Sequence, residues 1–467
     1  MDYNKMPINS FKNFFLSWTP DISKLSRPRY LSLANLLETD IRTGKLPPGA
    51  KLPPQRELAD YLDINFTTVT RAYDLCREKK LIYGITGRGT FVSPLPGFPD
   101  SDIDGGNDII ELGVVKGFEN VNIPIIEAAS QVLAKGNLQR LTSHAAVSGH
   151  LHQRAAAVRY LAGFGIDTDE EHTALFSGAQ NAISAALLSL FNIGETVAAD
   201  EFTYANLIGT AHLAHLQLAP IAGDIHGMLP KALDKYCTDN PVSGIFLMPS
   251  CANPTTVKMD QQRKDDIAGI IRKHRLILIE DDIACLPGIP DQSGTLFSRL
   301  PEQTVYISGS LKYLSPWLRV AAAAFPEKFR SRLLNALFHL NIKTSVLDAE
   351  IMTELISSGK ASAILKEKHL LAIRANRIFD RVFPQYADGP RNDFFRMLPL
   401  PDQWSNAREC ENFFASHGIR VQHSERFTVK PRPGQNFLRV SVSSAGSERA
   451  LRRGLTALFF ALRGDDL

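Results

Sequence analysis

Cysteine is sparse in this 467-residue chain, and the five present, Cys76, Cys237, Cys251, Cys285 and Cys410, are odd in number and widely spaced. That usage excludes a disulfide framework and offers no paired-cysteine metal motif, so a reducing compartment, the cytoplasm, is expected. Nowhere does the chain hold the roughly 20 consecutive apolar residues of a membrane-spanning helix. Its first residues mix Asp2, Lys5, Asn9, Ser10 and Lys12 with short apolar runs, which does not read as a secretory leader. There is no internal repeat, no GxGxxG dinucleotide fingerprint and no GxxxxGK(S/T) nucleotide loop. Nor is the composition extreme: 44% hydrophobic and 22% charged residues exclude collagen-like, disordered and disulfide-dense classes. What is there is enough chain for one large core and a smaller module.

The formal net charge is only +3, but it is unevenly spread. Between Lys24 and Val92 stand 12 Lys or Arg against 7 Asp or Glu, whereas the stretch from Ser93 onward carries 38 against 40. A positive excess confined to a short module is the electrostatic footprint of a nucleic-acid binder. The Pro-, Gly- and Asp-rich SPLPGFPDSDIDGG, residues 93–106, has no apolar period. It reads as a linker between a domain at 1–92 and a domain at 107–467.

In the first domain the spacing of Leu31, Leu33, Ala34, Leu36, Leu37 and Ile41 predicts one helix, and QRELADYL a second with Leu58, Ala59 and Leu62 on one face. Asn65 is placed to cap a third, in which Val69, Ala72, Tyr73 and Cys76 recur at i, i+3, i+4 and i+7. Thr67, Thr68, Thr70 and Arg71 are left on its other faces, short polar groups and a cation suited to a major groove. LIYGITGRGTFV, residues 81–92, reads as a two-stranded ribbon with Arg88 in its turn. A helical packing module with a solvated basic face is the competing reading of this pattern. The segment from Lys45 to Val92, however, resembles the winged helix-turn-helix domain of the GntR family of bacterial regulators, with LPPQRELA, TVTRAY and GRGTFV in the family's order. The resemblance implies contacts to double-stranded operator DNA from Arg56, Thr67, Thr68, Thr70, Arg71 and Arg88. The family often has Ser-Arg where this chain has Asn65-Phe66, which implies an altered operator preference.

From Asn107 onward strand-like and helical stretches alternate: TALF precedes SGAQNAISAALLSLF, TVAAD precedes EFTYANLIGTAHLAHL, and SGIFLMP and LILIEDD follow. This rhythm predicts an α/β domain with a largely parallel sheet, whose ligands gather at strand carboxyl ends. From about Ser345 a helix-rich stretch leads to strand-like HGIRVQHS and NFLRVSVS, predicting a smaller α+β subdomain. Gly178, Ala179 and Gln180 stand where a strand gives way to a helix, a place for an anion such as phosphate. Asp281 and Asp282 at a strand end suit either a metal or a cationic ring. His150 and His152 in SGHLHQR lack a clear third ligand, so no metal site is expected.

Taken in order, SGAQ, DEFTY, ANPTT, LILIEDD, SGSLKYLSPWLRV and FLRVSVS resemble the fold type I aminotransferase domain. Together with the winged helix they resemble the MocR subfamily of GntR regulators, over nearly the whole chain from about Ser26. The resemblance implies pyridoxal 5'-phosphate as cofactor, held covalently by Lys312. It further implies that Asp281 keeps a proton on the ring nitrogen, Asn253 bonds the ring oxygen and Tyr204 stacks on the ring, with Ala179, Gln180, Ser310 and Arg319 around the phosphate. Arg439 would pair with an amino acid's α-carboxylate, for which its planar donor fork is suited. Local readings compete: Tyr204 as a core aromatic, Asn253 as a turn cap, Arg439 as a structural ion-pair partner and Lys312 as a surface lysine.

Three departures from the family pattern bear on the chemistry: Ala284 where a tyrosine is usual, Gly309 where a phosphate-binding serine is usual, and Trp317 in place of a glycine. They imply weakened turnover with cofactor binding kept. The expected protein is a homodimeric, pyridoxal-phosphate-dependent DNA-binding transcriptional regulator that responds to an amino acid, an amine or a vitamin B6 compound. The alternatives are an active aminotransferase and a DNA-binding regulator with a degenerate, cofactor-free domain.

Overall fold

The computed structural model describes residues 16–463 apart from 22, 24, 43–44, 47–49, 80, 86–88, 93–108, 135–145, 283–293, 309–313, 316–317, 390 and 431–433. The expected linker at 93–106 therefore lies outside the described residues, as do Arg88, Ser310, Lys312 and the departures Ala284, Gly309 and Trp317. The chain divides into two compact units, Met1–Gly105 and Gly106–Leu467.

The first unit has the three helices and the ribbon that its periodicity predicts: α1 (Arg29–Arg42), α2 (Gln55–Tyr61), α3 (Phe66–Glu78), β1 (Ile82–Ile85) and β2 (Gly89–Val92). Leu33, Ala34, Leu37, Ile41, Leu58, Ala59, Val69, Ala72, Tyr73 and Cys76 are all buried in one cluster, so the apolar stripes of the three helices meet. Asn65 caps α3 by accepting from the Thr67 backbone N–H at 2.9 Å, which satisfies a donor the helix start leaves open. The ribbon pairs Ile82 with Val92 and Ile85 with Gly89, and the Lys51–Leu52 segment bonds along its edge through Leu52 N–H to Thr90 O at 2.8 Å. Tyr73 donates its buried hydroxyl to Pro53 O at 2.9 Å, tying α3 to the turn before α2.

The second unit is built on a seven-stranded sheet. In chain order its strands are β3 (Thr173–Phe176), β4 (Thr196–Asp200), β5 (Gln217–Ile221), β6 (Gly244–Leu247), β7 (Ile277–Asp281), β8 (Thr304–Ser308) and β9 (Ala321–Ala324). Across the sheet they lie in the order β3-β9-β8-β7-β6-β4-β5. All neighbouring pairs are parallel except those made by β9, which runs antiparallel to both β8 and β3. The apolar runs of β3, β6, β7 and β8 are buried from end to end or nearly so, as a sheet covered by helices on both faces requires. Helix α4 (Ala179–Leu190) follows β3 directly.

The smaller subdomain combines α5 (Lys360–Val382) and α6 (Glu448–Arg463) with an antiparallel sheet. Its strands are β10 (Phe395–Pro399), β11 (Gln422–His423) and β12 (Phe437–Ser441), with β12 in the middle. Residues Ile110–Glu111 pair in parallel with Ile419–Arg420, so the start of this unit is stitched into the subdomain formed by its end. That pairing had no local signal in the sequence.

Candidate functional site

Six of the seven strands, all but β9, run in the same direction, so their carboxyl ends lie on one side of the sheet, where the turns carrying Gly178 and Tyr204 follow β3 and β4. Gly178, the residue before α4, adopts φ 85° and ψ 164°, a region that a side chain strongly disfavours. A Cβ at Gly178 would sit 3.3 Å from the Arg319 guanidinium. The turn is therefore glycine both for its backbone and for the close approach of that cation. Ala179 opens α4, and Gln180 one residue on donates Nε2–H to Thr210 Oγ1 at 2.7 Å while its buried Oε1 has no hydrogen-bond donor among the described residues.

Asp281 closes β7 and is 1% exposed. Its neighbours Glu280 and Asp282 point to the other side of the strand, as the two-residue period demands. Glu280 accepts from the backbone N–H groups of Leu296 and Phe297 at 3.0 and 2.7 Å. Burial and the nearby Asp282 nevertheless push its carboxyl up to about 8. Asp282 accepts from Ser250 Oγ and the Tyr306 hydroxyl at 3.0 and 3.1 Å. Of the three acids, then, two serve packing and Asp281 turns to the opposite side of the strand.

Tyr204 precedes the helix Ala205–Leu213, and its hydroxyl accepts from Asn206 Nδ2 at 3.0 Å. Burial, and next the Asp281 carboxylate, raise the phenol above its ordinary pKa, while the Asn206 bond and the Arg319 and Arg439 guanidiniums draw it down. Asp281, Arg319 and Arg439 thus lie near enough to Tyr204 to act on its phenol, although the four come from separate stretches of chain. Thr203 N–H donates to Phe427 O at 2.8 Å and Phe202 bridges Thr428, so the turn carrying Tyr204 is pinned to the smaller subdomain.

Arg439, on β12, is 7% exposed and already makes several contacts. Its Nη1 donates to Asn253 Oδ1 at 2.9 Å, and its Nη2 to Gly113 O at 2.8 Å and to Gln422 Oε1. Its guanidinium also lies 4.7 Å from the centre of the Phe427 ring. Asn253 and Arg439 are thus brought together across the two subdomains. Nothing local in the sequence marks Gln422 or Gly113 as a partner of Arg439. Gln422 reaches Arg439 because β11 and β12 pair these two residues directly, and strand register of that kind has no short-range signature.

In the first unit Arg56, Thr67 and Arg71 are exposed, and Thr68 and Thr70 are half-buried. Thr67 Oγ1 is held by Asn65 Oδ1 at 2.8 Å, and Thr70 Oγ1 donates to Gln55 Oε1 at 2.9 Å, joining the starts of α2 and α3. The Arg56 guanidinium lies 5.8 Å from the centre of the Phe66 ring. His150 and His152 stack on each other, and His152 bonds Glu350 at 2.6 Å. Among the described residues no group of three or more His, Cys, Asp or Glu is placed to hold a metal, and no helix is long and apolar enough to cross a membrane.

A winged helix followed by a fold type I aminotransferase domain defines a class of transcriptional regulator, and the comparisons with known proteins place the chain in it. Residues 29–92 match the family described as bacterial regulatory proteins, gntR family, and residues 112–458 match aminotransferase class I and II. The chain belongs to the GntR-type transcriptional regulators that carry an aminotransferase domain, the MocR subfamily. It is 34% identical over 456 residues to the HTH-type transcriptional regulator YdeF of Bacillus subtilis, covering 97% of this chain and 98% of that protein. It is 26% identical over 412 residues to the vitamin B6 salvage pathway transcriptional repressor PtsJ of Salmonella typhimurium, covering 86% of this chain and 92% of that protein. The crystal structure of an archaeal alanine:glyoxylate aminotransferase matches with a TM-score of 0.69 at 17% identity, over 77% of this chain and 91% of that one, which establishes the fold.

Proposed function

We propose that the second unit binds pyridoxal 5'-phosphate and that the state of this pocket governs operator binding by the winged helix. The observation that carries the reading is the buried Asp281 carboxylate at a strand end, with the Arg319 guanidinium against Gly178 and Arg439 bonded to Asn253. The residues suit the cofactor on two counts. Gly178, lacking a Cβ, leaves the start of α4 open beside the Arg319 guanidinium, a cradle for a phosphate. Asp281 offers a buried carboxylate, the group that keeps a proton on a pyridine nitrogen.

In this reading Lys312 holds the cofactor covalently, Asp281 retains the ring-nitrogen proton, Asn253 donates to the ring oxygen and Tyr204 covers the ring. Ala179, Gln180, Ser310 and Arg319 hold the phosphate. The cofactor, when bound, supplies an aldehyde carbon that exchanges one amine partner for another. Arg439 receives the carboxylate of an amino-acid effector. The name of PtsJ supports a vitamin B6 compound as a further effector class beside amino acids and amines. Residues 1–92 bind double-stranded operator DNA, 93–106 link, and 107–467 bind the effector and pair two chains in a cytoplasmic homodimer. Twofold symmetry then presents two winged helices to paired half-sites. An effector changes DNA affinity by the difference in its affinity for the DNA-competent and incompetent arrangements.

The test is the visible absorption spectrum of the protein with pyridoxal phosphate, before and after borohydride reduction, with Lys312→Ala in parallel. A visible band that depends on Lys312 and is lost on reduction, leaving the cofactor irreversibly attached to the protein, is expected. Its absence from folded wild-type protein overturns the cofactor reading, and steady conversion of amino donors to keto acids would favour an aminotransferase instead.

A further inference from the structure

The first residue of α3, Phe66, is 42% exposed and is not among the side chains packed on the core of its unit. Single exposed apolar residues are ordinary on protein surfaces, but two features set this one apart. It stands at the end of the helix where Thr67 and Arg71 are also exposed. In addition, the Arg56 guanidinium, from the neighbouring α2, lies 5.8 Å from the centre of its ring. The Thr70 to Gln55 bond at 2.9 Å holds the starts of the two helices side by side, so the aromatic and the cation are presented together. A phenyl ring on this end has nothing to give a phosphate and no hydrogen bond to offer a base edge. What it can contact is apolar, and in the major groove the apolar mark is the C5 methyl of thymine.

We infer that Phe66 reads sequence, selecting thymine through its methyl group, with Arg56 held against the ring and turned to the DNA backbone. The inference rests on the DNA-binding role of the first unit and adds a base preference to it. Contact between the ring and a methyl excludes water from both, and burial of one such carbon is worth about a fourfold change in affinity. Arg56 contributes separately through phosphate attraction that is blind to sequence.

The experiment selects duplexes from a random pool with the full-length protein, then replaces each thymine of the preferred duplex by deoxyuracil, which differs only in lacking the methyl. Wild type is expected to lose about fourfold in affinity at one or more thymines, Phe66→Ala to bind both duplexes equally at those positions, and Phe66→Arg to select guanine there instead. Equal wild-type affinity for every thymine and uracil pair overturns the inference, and so does a thymine preference that persists in Phe66→Ala. Failure of wild type to enrich any duplex is a different result: it removes the DNA-binding role itself, and the base preference with it.

Discussion

In the winged-helix unit the groups proposed to meet DNA, Thr67 and Arg71, stand exposed within two turns of one helix. In the larger unit Asp281 and Arg439 are buried and arrive from strands of two different sheets. The first arrangement needs only a helix with an apolar stripe on its far side. The second needs the whole fold, because each buried polar group must find its partners from distant chain or cost stability. The exposed face of α3 is therefore open to substitution, while Asp281 and Arg439 are constrained by their burial.

Four substitutions probe that contrast, beginning with the largest effect. Asp281→Ala is expected to weaken pyridoxal phosphate binding by about 2–3 kcal/mol, the worth of a hydrogen bond to a charged group, with DNA affinity of the cofactor-free protein unchanged. Titration of the cofactor by absorbance and of DNA by anisotropy checks both halves. Gly178→Ala places a side chain in a glycine-only region and against Arg319, and should cost about 2 kcal/mol in cofactor affinity or unfolding free energy. Parallel denaturant and cofactor titrations show how the cost divides. Arg71→Ala should weaken duplex binding by about 1–2 kcal/mol and leave the cofactor spectrum as it was; an unchanged duplex affinity would remove Arg71 from the reading face. Asn65→Ala removes the cap of α3 and should lower the stability of the first unit by about 1 kcal/mol, seen as an earlier thermal transition without change at the larger site.

Much of the first unit was legible because its signals are local. Val69, Ala72, Tyr73 and Cys76 recur at helical spacing and are each fully buried, and Asn65 caps the helix its position announces. The strands of the larger unit were legible as apolar runs, and the polar residues at their ends marked Gly178, Tyr204 and Asp281. Less visible was AAAA at 321–324, which carries no direction of its own and runs antiparallel within an otherwise parallel sheet. Lys368 was also opaque: a lysine reads as surface, yet it is fully buried on α5, where its Nζ donates to Asn122 Oδ1 and Leu314 O at 3.0 and 3.1 Å. Burial lowers its pKa to about 8, against the pull of Glu119 and Glu367.

The amino-acid sequence by itself determined the two-part organisation, the three helices and ribbon of the first unit, the α/β character of the second and the residue types available at its strand ends. Helical period, capping and strand alternation act over a few residues, so they can be read without knowing the fold. Tertiary structure alone decided that Gln422 and Gly113 would engage Arg439, that Arg319 would lie against Gly178, that Asp281 would turn to the opposite side from Glu280 and Asp282, and that Arg56 would stand 5.8 Å from the centre of the Phe66 ring. Those contacts depend on strand order, register and helix packing, and each is settled only when chain segments distant in sequence compete for the same buried space.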